Sequence, residues 1–262
     1  MSRTETQGND LRALLAEVAA GRTSVDEAAR DLAGLGLTSI GDFACLDTGR
    51  AARKGVPEIV FGEGKTVEQF AAIVAAFLTR TPVVLATKVS LEQVAAVTAP
   101  DDGDAIWHER SRVLVLRRAD YRLPETRGVV GVLAGGTGDT AIADEAVIVC
   151  REMGVETLAA YDVGVAGVHR LSAPLREMTE AGAGALVVAA GMEGALPSVV
   201  CGLVDVPVIG LPVSTGYGLG GRGEAALLGM LQSCSPGLAV VNIDNGVGAG
   251  VTAALIARGG AA

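Results

Sequence analysis

The stretch VVGVLAGGTGDTAIADEA (129–146) decides the fold of the C-terminal half of this chain. It contains an apolar run, a glycine-rich turn and the start of a helical pattern. Four further apolar, β-branched runs follow near residues 158, 187, 209 and 240, separated by segments with helical periodicity. Strands that are apolar along their whole length are buried on both faces. The pattern therefore predicts an α/β domain with a doubly wound parallel sheet in three layers.

Each predicted strand ends in a polar or glycine-rich turn. The turns are GGTGDT (135–140), DVGVAGVHR (162–170), AGMEGALPS (190–198), STGYGLGGRGE (214–224) and DNGVGAG (244–250). Ligands of open parallel sheets bind outside the carboxyl ends of the strands. We therefore expect these turns to form the active site.

A smaller α/β domain is predicted before the parallel sheet. The polar segment YRLPETRG (121–128) marks the boundary, which gives a small domain at 1–122 and a catalytic domain at 123–262. The elements expected in the small domain are amphipathic helices at 9–20 and 24–34, strands at 58–62 and 82–89, helices at 66–78 and 90–97, and a hairpin over 105–117.

Composition narrows the classes of function. The formal net charge is −9, which does not favour a basic groove for nucleic acid, so we expect no nucleic-acid partner. We see neither a membrane span nor a signal peptide and expect a cytoplasmic protein. The four cysteines include no C-x-x-C pair, so reduced thiols are expected rather than disulfides or a zinc site.

Three of the turns resemble a known family. GTGDTAIADEA (136–146), GVHRLSAP (167–174) and AGMEGALPSVVCGLVDVPVIGLPVS (190–214) resemble the mutase-type phosphoribosylaminoimidazole carboxylase of purine synthesis. The resemblance implies the fold of that carboxylase, turns that surround a nucleotide and CO2, and a homo-octamer. The chain departs from that enzyme at Ala195, which replaces a histidine before Leu196.

Other segments resemble the carboxylase/hydrolase that makes the precursor of the nickel-pincer nucleotide cofactor. They are GRAARKGVPEIVFGEGKT (49–66), YDVGVAGVHR (161–170) and LLGMLQSCSPGLAVVNIDNGVGAG (227–250). This resemblance spans most of the chain. It implies that CO2 is added to C5 of the pyridinium ring of nicotinic acid adenine dinucleotide and that the phosphoanhydride is hydrolysed. The products are then pyridinium-3,5-biscarboxylic acid mononucleotide and AMP.

The second resemblance makes Cys234 the predicted nucleophile. A free cysteine is more often a small buried hydrophobe, and Cys45, Cys150 and Cys201 are expected to be of that kind. Because C5 of a pyridinium is electron-poor, it attacks CO2 only after a thiolate has added at C6. We expect Cys234 at the end of a helix over 224–234, where the helix dipole disfavours an anion. A cation is then needed, and the pyridinium of the substrate is the candidate.

Three further side chains complete the predicted catalytic set. By the resemblance, Glu193 is a base for the C5 proton or orients CO2, although an exposed turn carboxylate is more often only solvated. Asp139 either caps a helix or contacts ribose hydroxyls and transfers protons. His169 is assigned to substrate contact or proton transfer.

The glycine-rich turns supply the predicted nucleotide contacts. Amides at a helix N-terminus bind phosphate, and Arg170 either binds phosphate or is a surface charge. GYGLGG (216–221) matches a dinucleotide fingerprint, with Asp244 as its acidic residue, but we interpret it as a mobile phosphate-binding or lid segment. The predicted binding residues are Thr137, Gly138, Thr140, Arg170, Gly191, Ser214, Gly216, Gly218 and Asn245.

Two alternatives stay open at this point. One is a purine-pathway carboxylase paralogue that acts on an aminoimidazole ribotide, which Ala195 and Cys234 argue against. The other is a non-catalytic nucleotide-binding module, which the glycine-rich turns alone permit. No signature of an organic cofactor is present, so CO2 would be used directly. Mg²⁺ is chemically reasonable for phosphoanhydride hydrolysis, but the sequence shows no metal-ligand cluster.

Overall fold

A computed structural model describes residues 14–25, 28, 37–40, 43–47 and 50–260 of the chain. The chain divides into two compact units. The N-terminal unit runs to His108 and includes Arg112–Arg122, and the C-terminal unit comprises Glu109–Ser111 and Leu123–Ala262. Among the described residues, no helix is long and apolar enough to cross a membrane.

The N-terminal unit contains a four-stranded mixed sheet and a separate two-stranded antiparallel pair. Its elements are β1 (Leu37–Ile40), β2 (Ala44–Asp47), α1 (Arg50–Lys54), β3 (Ile59–Phe61), α2 (Val67–Arg80), β4 (Val83–Thr87), α3 (Leu91–Ala95), β5 (Asp104–His108) and β6 (Val113–Arg117). The strand order is β3-β4-β6-β5, with β3 and β4 parallel and the others antiparallel. The hairpin over 105–117 and the two strand–helix pairs are thus as predicted, whereas β1, β2 and α1 were not predicted.

The two helices expected before residue 35 are described only in part. Residues 14–19 are helical, within the helix predicted over 9–20. Most of the helix predicted over 24–34 lies outside the described residues.

Helix α2 shows how the sequence builds this unit. Thr66 accepts a hydrogen bond from the Gln69 amide, and the Gln69 side chain accepts one from the Thr66 amide, which forms a capping box at the helix start. Its buried residues Phe70, Ile73, Val74 and Phe77 follow helical spacing, so one face of α2 covers the sheet.

The C-terminal unit is built on a five-stranded, fully parallel sheet. Its elements are β7 (Val129–Ala134), α4 (Thr140–Glu152), β8 (Glu156–Ala160), α5 (Ser172–Glu180), β9 (Ala183–Ala190), α6 (Ala195–Cys201), β10 (Val208–Pro212), α7 (Glu224–Leu231), β11 (Leu238–Val240) and α8 (Gly246–Gly260). All five predicted strands are present, and the doubly wound α/β fold is confirmed.

Helices cover both faces of this sheet. On one face, Met178 of α5, Leu196 of α6 and Met230 of α7 share a core with Leu186 of β9. The helices α4 and α8 pack against each other, with Cys150 of α4 donating a hydrogen bond from its thiol to the carbonyl of Gly250 at 3.3 Å. These layers explain why the strands are apolar along their whole length.

The strand order, β11-β10-β9-β7-β8, places the ligand crevice. From β7 the chain first adds β8 on one side and then crosses to add β9 on the other. In sheets with this order, the carboxyl ends of the first and third strands form the topological switch point where ligands bind. The turns after β7 and β9 therefore flank the expected crevice.

Candidate active site

Asp139 lies at the switch point, in the turn that follows β7. Residues Thr137–Asp139 form one turn of 3₁₀ helix, and the buried Asp139 carboxylate accepts a hydrogen bond from the Gly136 amide at 2.9 Å. The side chain makes no capping bond to α4. The expected helix cap is therefore replaced by a carboxylate that folds back over its own turn.

The environment of Asp139 makes its carboxyl group harder to ionise than an ordinary aspartate. Burial raises the pKa of this carboxyl above the ordinary aspartate value, and the negative charge of Asp244 acts in the same direction. Hydrogen bonds from the amides of Gly136 and Gly191 oppose the shift without cancelling it. A raised pKa at a strand end is characteristic of functional carboxyl groups.

Three turns converge on Asp139, and glycines allow the approach. A Cβ atom on Gly191 would lie 2.0 Å from the carbonyl oxygen of Thr215 and 3.3 Å from Oδ1 of Asp139. A Cβ atom on Gly138 would lie 2.6 Å from Cγ2 of Thr215, whose hydroxyl donates to the Gly138 carbonyl at 3.2 Å. The turns after β7, β9 and β10 are thus in direct backbone contact.

Asp244 joins this group from the end of the next strand. It accepts a hydrogen bond at Oδ1 from the Ser214 amide at 2.9 Å, and its own amide donates to the Pro212 carbonyl. Its φ of 55° is left-handed, which is uncommon for a residue other than glycine. The sequence pattern places Asp244 only within a fingerprint, and its position four residues after β11 was the available signal.

We call Asp139, Gly191, Ser214, Thr215 and Asp244 the carboxyl-end cluster. It unites the predicted Asp139, Gly191 and Ser214 with two residues that the sequence did not single out for the site.

Only part of the predicted phosphate-binding turn has free amides. The amide of Thr140 donates to the Thr137 carbonyl, and the amide of Asp139 donates to Gly136. Thr140 therefore does not offer an amide to a ligand in this conformation. Thr137 and Gly138 are exposed at the surface of the turn.

His169 and Arg170 lie on the turn after β8. The start of this turn packs on the first one, since a Cβ atom on Gly164 would lie 2.6 Å from the Gly135 carbonyl oxygen. Both side chains are exposed, and Arg170 forms an ion pair with Asp162. Arg170 must leave that carboxylate to bind phosphate, and no described contact joins His169 to the carboxyl-end cluster.

The same turn begins with a polar pair that the sequence did not reveal. The hydroxyl of Tyr161 donates a hydrogen bond to the carboxylate of Asp144 in the second turn of α4. Burial and this partner raise the pKa of Tyr161, so the phenol stays neutral and fixes the carboxylate.

Glu193 lies in a tight turn between β9 and α6. Its side chain is exposed, and its neighbours Met192 and Gly194 have left-handed φ values of 52° and 66°. A Cβ atom on Gly229 would lie 2.3 Å from the Glu193 carbonyl oxygen, so this turn packs against the middle of α7.

Cys234 lies away from the carboxyl-end cluster. Helix α7 ends at Leu231, three residues earlier than the predicted helix, and Cys234 is exposed in the following turn. The Gly237 carbonyl accepts a hydrogen bond from the Val208 amide at 3.1 Å. Val208 begins β10, whereas Ser214 of the cluster follows the end of β10. Within one chain, Cys234 therefore lies near the amino-terminal ends of the strands, and the cluster lies at their carboxyl ends.

The other cysteines differ in exposure. Burial raises the pKa of the Cys150 thiol to about 12 and raises that of Cys201 as well, as expected for inert core cysteines. The expectation is wrong for Cys45, which is exposed. Side chains alternate along β2, so burial of its neighbour Leu46 turns Cys45 outward.

The loop that carries GYGLGG leads into α7. A Cβ atom on Gly216 would contact Met192, whereas one on Gly218 would meet nothing within 4 Å. Tyr217, between these two glycines, and Leu219, after them, are almost fully exposed. Asn245, the chain neighbour of Asp244, accepts a hydrogen bond from the Gly248 amide at 2.8 Å and thus supports the first turn of α8.

A groove of about 540 Å³ in the N-terminal unit is a weaker candidate for a site. It lies at the ends of the parallel strands β3 and β4 and is lined by three basic and three acidic side chains, namely Lys65, Lys88, Arg112, Glu63, Glu68 and Glu92. Lys65 bonds the Phe61 carbonyl and Arg112 the Val89 carbonyl. The groove therefore combines equal numbers of basic and acidic side chains, and two of the basic ones are bonded to backbone carbonyls.

Among the described residues there is no group of three or more His, Cys, Asp or Glu side chains able to hold a metal ion. The Asp139 carboxylate is bonded to the amides of Gly136 and Gly191, and that of Asp244 to the Ser214 amide.

The parallel sheet, its strand order and its glycine-rich carboxyl-end turns define a doubly wound α/β domain with its expected ligand crevice after β7 and β9. A family model described as AIR carboxylase matches residues 129–260, and one described as LarB/PurE-like N-terminal domain matches residues 37–118. The chain therefore belongs to the AIR carboxylase family and carries the LarB/PurE-like N-terminal domain.

Relatives agree with this assignment. An uncharacterized protein of Methanocaldococcus jannaschii is 41% identical over 96% of this chain and 98% of its own length. The N5-carboxyaminoimidazole ribonucleotide mutases of the same organism and of Thermotoga maritima are 34% and 28% identical, each over 48% of this chain. These matches cover 76% and 73% of the two mutases. The family predicted from the turns is confirmed, and its enzymes are of the carboxylase or mutase type.

Proposed function

We propose that this protein carboxylates C5 of the pyridinium ring of nicotinic acid adenine dinucleotide and hydrolyses the phosphoanhydride. The products are pyridinium-3,5-biscarboxylic acid mononucleotide and AMP. The observation that carries the proposal is the environment of Cys234, an exposed thiol on a turn anchored on both sides, while Cys150 and Cys201 are buried.

The thiolate supplies what a pyridinium lacks. Its electron pair forms the S–C6 bond, and the displaced ring electrons neutralise N1 and enrich C5 through the resulting dienamine. C5 then forms a bond to the carbon of CO2. Loss of the C5 proton to a base restores the ring as the S–C6 bond breaks and the thiolate leaves. The thiol is thus a catalyst, and no oxidant or reductant is needed.

Glu193 is the proposed base for the C5 proton. It lies two residues before α6, and Ser198 of that helix bonds the turn that carries Cys234. Within one chain, the exposed carboxylate precedes the start of α6 and the exposed thiol lies toward its other end. The base must be within hydrogen-bond reach of the ring in the bound state, so the proposal requires Glu193 and Cys234 from different copies of the chain to act on one ring.

The carboxyl-end cluster is the proposed binding region for ribose and phosphate. Exposed amides of Thr137 and Gly138 suit a phosphate, and the carboxylates of Asp139 and Asp244 suit hydroxyl groups. His169 and Arg170, on the adjacent turn, are proposed to contact the phosphates when Arg170 releases Asp162. Gly216 and Gly218 belong to the loop proposed to cover the substrate.

We further propose a homo-octamer, with the number taken from the resemblance to the purine carboxylase. Leu228 and Leu231 of α7 are exposed beside the Cys234 turn, and an apolar helix face of this kind favours burial against another copy. Light scattering at micromolar concentration checks the assembly, and a monomer mass contradicts it.

One alternative has a specific observation in its favour. The relatives called mutases match the same half of the chain that contains the carboxyl-end cluster. An aminoimidazole ribotide is therefore the second candidate substrate. Ala195, in place of the histidine of that enzyme, and the presence of Cys234 favour the pyridinium.

A single incubation separates the candidates. The protein is mixed with ¹³C-bicarbonate and either nicotinic acid adenine dinucleotide or aminoimidazole ribotide, and products are identified by mass. A labelled carboxylated mononucleotide with AMP supports the proposal. Turnover of the ribotide alone supports the alternative, and turnover of neither supports a non-catalytic module.

A further inference from the structure

The turn that carries Cys234 is fastened to helix α6 by three serines. The Ser198 hydroxyl donates to Oγ of Ser233 at 2.8 Å, and the Ser235 amide donates to the same oxygen at 3.1 Å. The Ser235 hydroxyl in turn donates to the Ser198 carbonyl at 3.0 Å. The residues on both sides of Cys234 are thus bonded to one residue of α6.

Side-chain exposure alternates along the turn, and the two bonded serines are the less exposed residues. Ser233 and Ser235 are half-buried against the helix, whereas Cys234 between them is exposed. The turn is also held beyond the cysteine, where the Cys201 thiol donates to the Pro236 carbonyl at 3.2 Å. The arrangement directs the residues next to Cys234 inward and leaves its thiol available to a ligand.

We infer that Ser198, Ser233 and Ser235 are positioning residues that hold Cys234 for attack on the pyridinium ring, an inference that rests on the proposed function. A nucleophile reacts fast when it is held about 3–3.5 Å from its target with the right orientation, and a displacement of about 1 Å can cost about 10²-fold in rate. Turns on a protein surface otherwise sample many conformations.

The bonding pattern predicts a graded response. Ser233 Oγ accepts two of the three bonds, so Ser233→Ala removes both, whereas Ser198→Ala and Ser235→Ala each remove one. We expect Ser233→Ala to have the largest effect. Ser233→Thr keeps the hydroxyl and is expected to restore most of the rate. Thr79→Ala, which removes an exposed hydroxyl that bonds only the Ala76 carbonyl within α2, is the matched control.

The test measures the covalent step directly. NAD, which also contains a pyridinium ring, is mixed with the full chain, and the absorbance of the thiol adduct is followed in time. We expect Ser233→Ala to slow adduct formation about 10²-fold and each single-bond variant to slow it about tenfold. We also expect Ser233→Ala to lower kcat for carboxylation while KM stays nearly constant. Alkylation of Cys234 by iodoacetamide should change little, since the thiol is exposed in either case.

Each result has a distinct meaning. Adduct formation by Ser233→Ala at the parent rate overturns the positioning role and leaves the proposed function intact. A parallel loss of adduct formation, alkylation rate and thermal stability shows a merely structural role and also overturns it. Carboxylation by Cys234→Ala at the parent rate overturns the proposed function itself.

Discussion

The carboxyl-end cluster and the Cys234 turn hold their key side chains in opposite ways. Asp139 is buried, and backbone amides from two turns bind its carboxylate. Cys234 is exposed, and side-chain hydroxyls bind the residues that flank it. The first region is built from close backbone approaches, and the second from a turn fastened to a helix.

This difference implies different sensitivities. A Cβ atom at Gly138 or Gly191 would overlap Thr215, so the cluster should fail when either glycine is enlarged. The Cys234 turn has open space on its outer side, so it should tolerate enlargement and fail when an anchoring or reacting atom is removed.

Removal of the nucleophile should have the largest effect. We expect Cys234→Ala and Cys234→Ser to reduce carboxylation to background with an unchanged circular dichroism spectrum, because no other group raises the electron density at C5. Cys45→Ser, at the other exposed cysteine of the described residues, is the control and should keep full turnover. Substitution of the buried Cys150 should lower stability more than turnover, whereas substitution of Cys201 also removes a bond to the Cys234 turn. Substantial carboxylation by Cys234→Ala removes the central claim.

The two carboxylates should separate the two halves of the reaction. We expect Glu193→Gln chiefly to suppress incorporation of labelled bicarbonate, whereas Asp139→Asn raises the substrate requirement and slows AMP release as well. The loss of a general acid or base typically costs about 10²–10⁴-fold. AMP and the carboxylated mononucleotide are quantified separately in each variant. Near-normal rates of both products in both variants show that these site assignments are wrong even if the family is right.

Enlargement of a cluster glycine should disturb binding and stability together. In Gly191→Ala the new Cβ would lie 2.0 Å from the Thr215 carbonyl oxygen, so the backbone of one turn must move. Overpacking of this kind costs about 1–3 kcal/mol in the free energy of unfolding. Gly259→Ala is the control, since its Cβ would meet nothing within 4 Å. Denaturant unfolding and substrate titration measure both effects, and normal binding by the Gly191→Ala variant contradicts the close contact.

The smallest expected effect concerns pH. Because burial raises the pKa of Asp139 in the folded state, that state binds the proton more tightly than the unfolded chain does. The resulting stabilisation is fully present below the unfolded value of about 3.9 and is lost as pH rises through the folded pKa. The melting temperature of the parent minus that of Asp139→Asn should therefore fall as pH increases from acidic to neutral values. A difference that grows with pH contradicts the direction of the shift.

The sequence was sufficient for the catalytic fold because its signals are local. The apolar runs near 130, 158, 187, 209 and 240 became the five strands, and each was followed by the expected turn. A run that is apolar on both faces has few alternatives to a buried parallel strand. In the N-terminal unit, the short strands β1 and β2 carry no such signal and were not predicted.

The sequence by itself determined the sheet, the turns and the family, and it singled out Cys234. Only the tertiary structure decided that Asp244 bonds Ser214 and that Asp139 folds over its own turn. It also decided that the Cys234 turn lies near the amino-terminal ends of the strands, where Ser198 anchors it. Strand and helix formation depend on neighbours along the chain, which a sequence pattern records. Except for the local Asp139 turn, these contacts join residues about 30 or more positions from each other in the sequence. They therefore depend on strand order and helix length. Cys234 was misplaced at a helix end because α7 stops at Leu231, where the chain turns to begin β11.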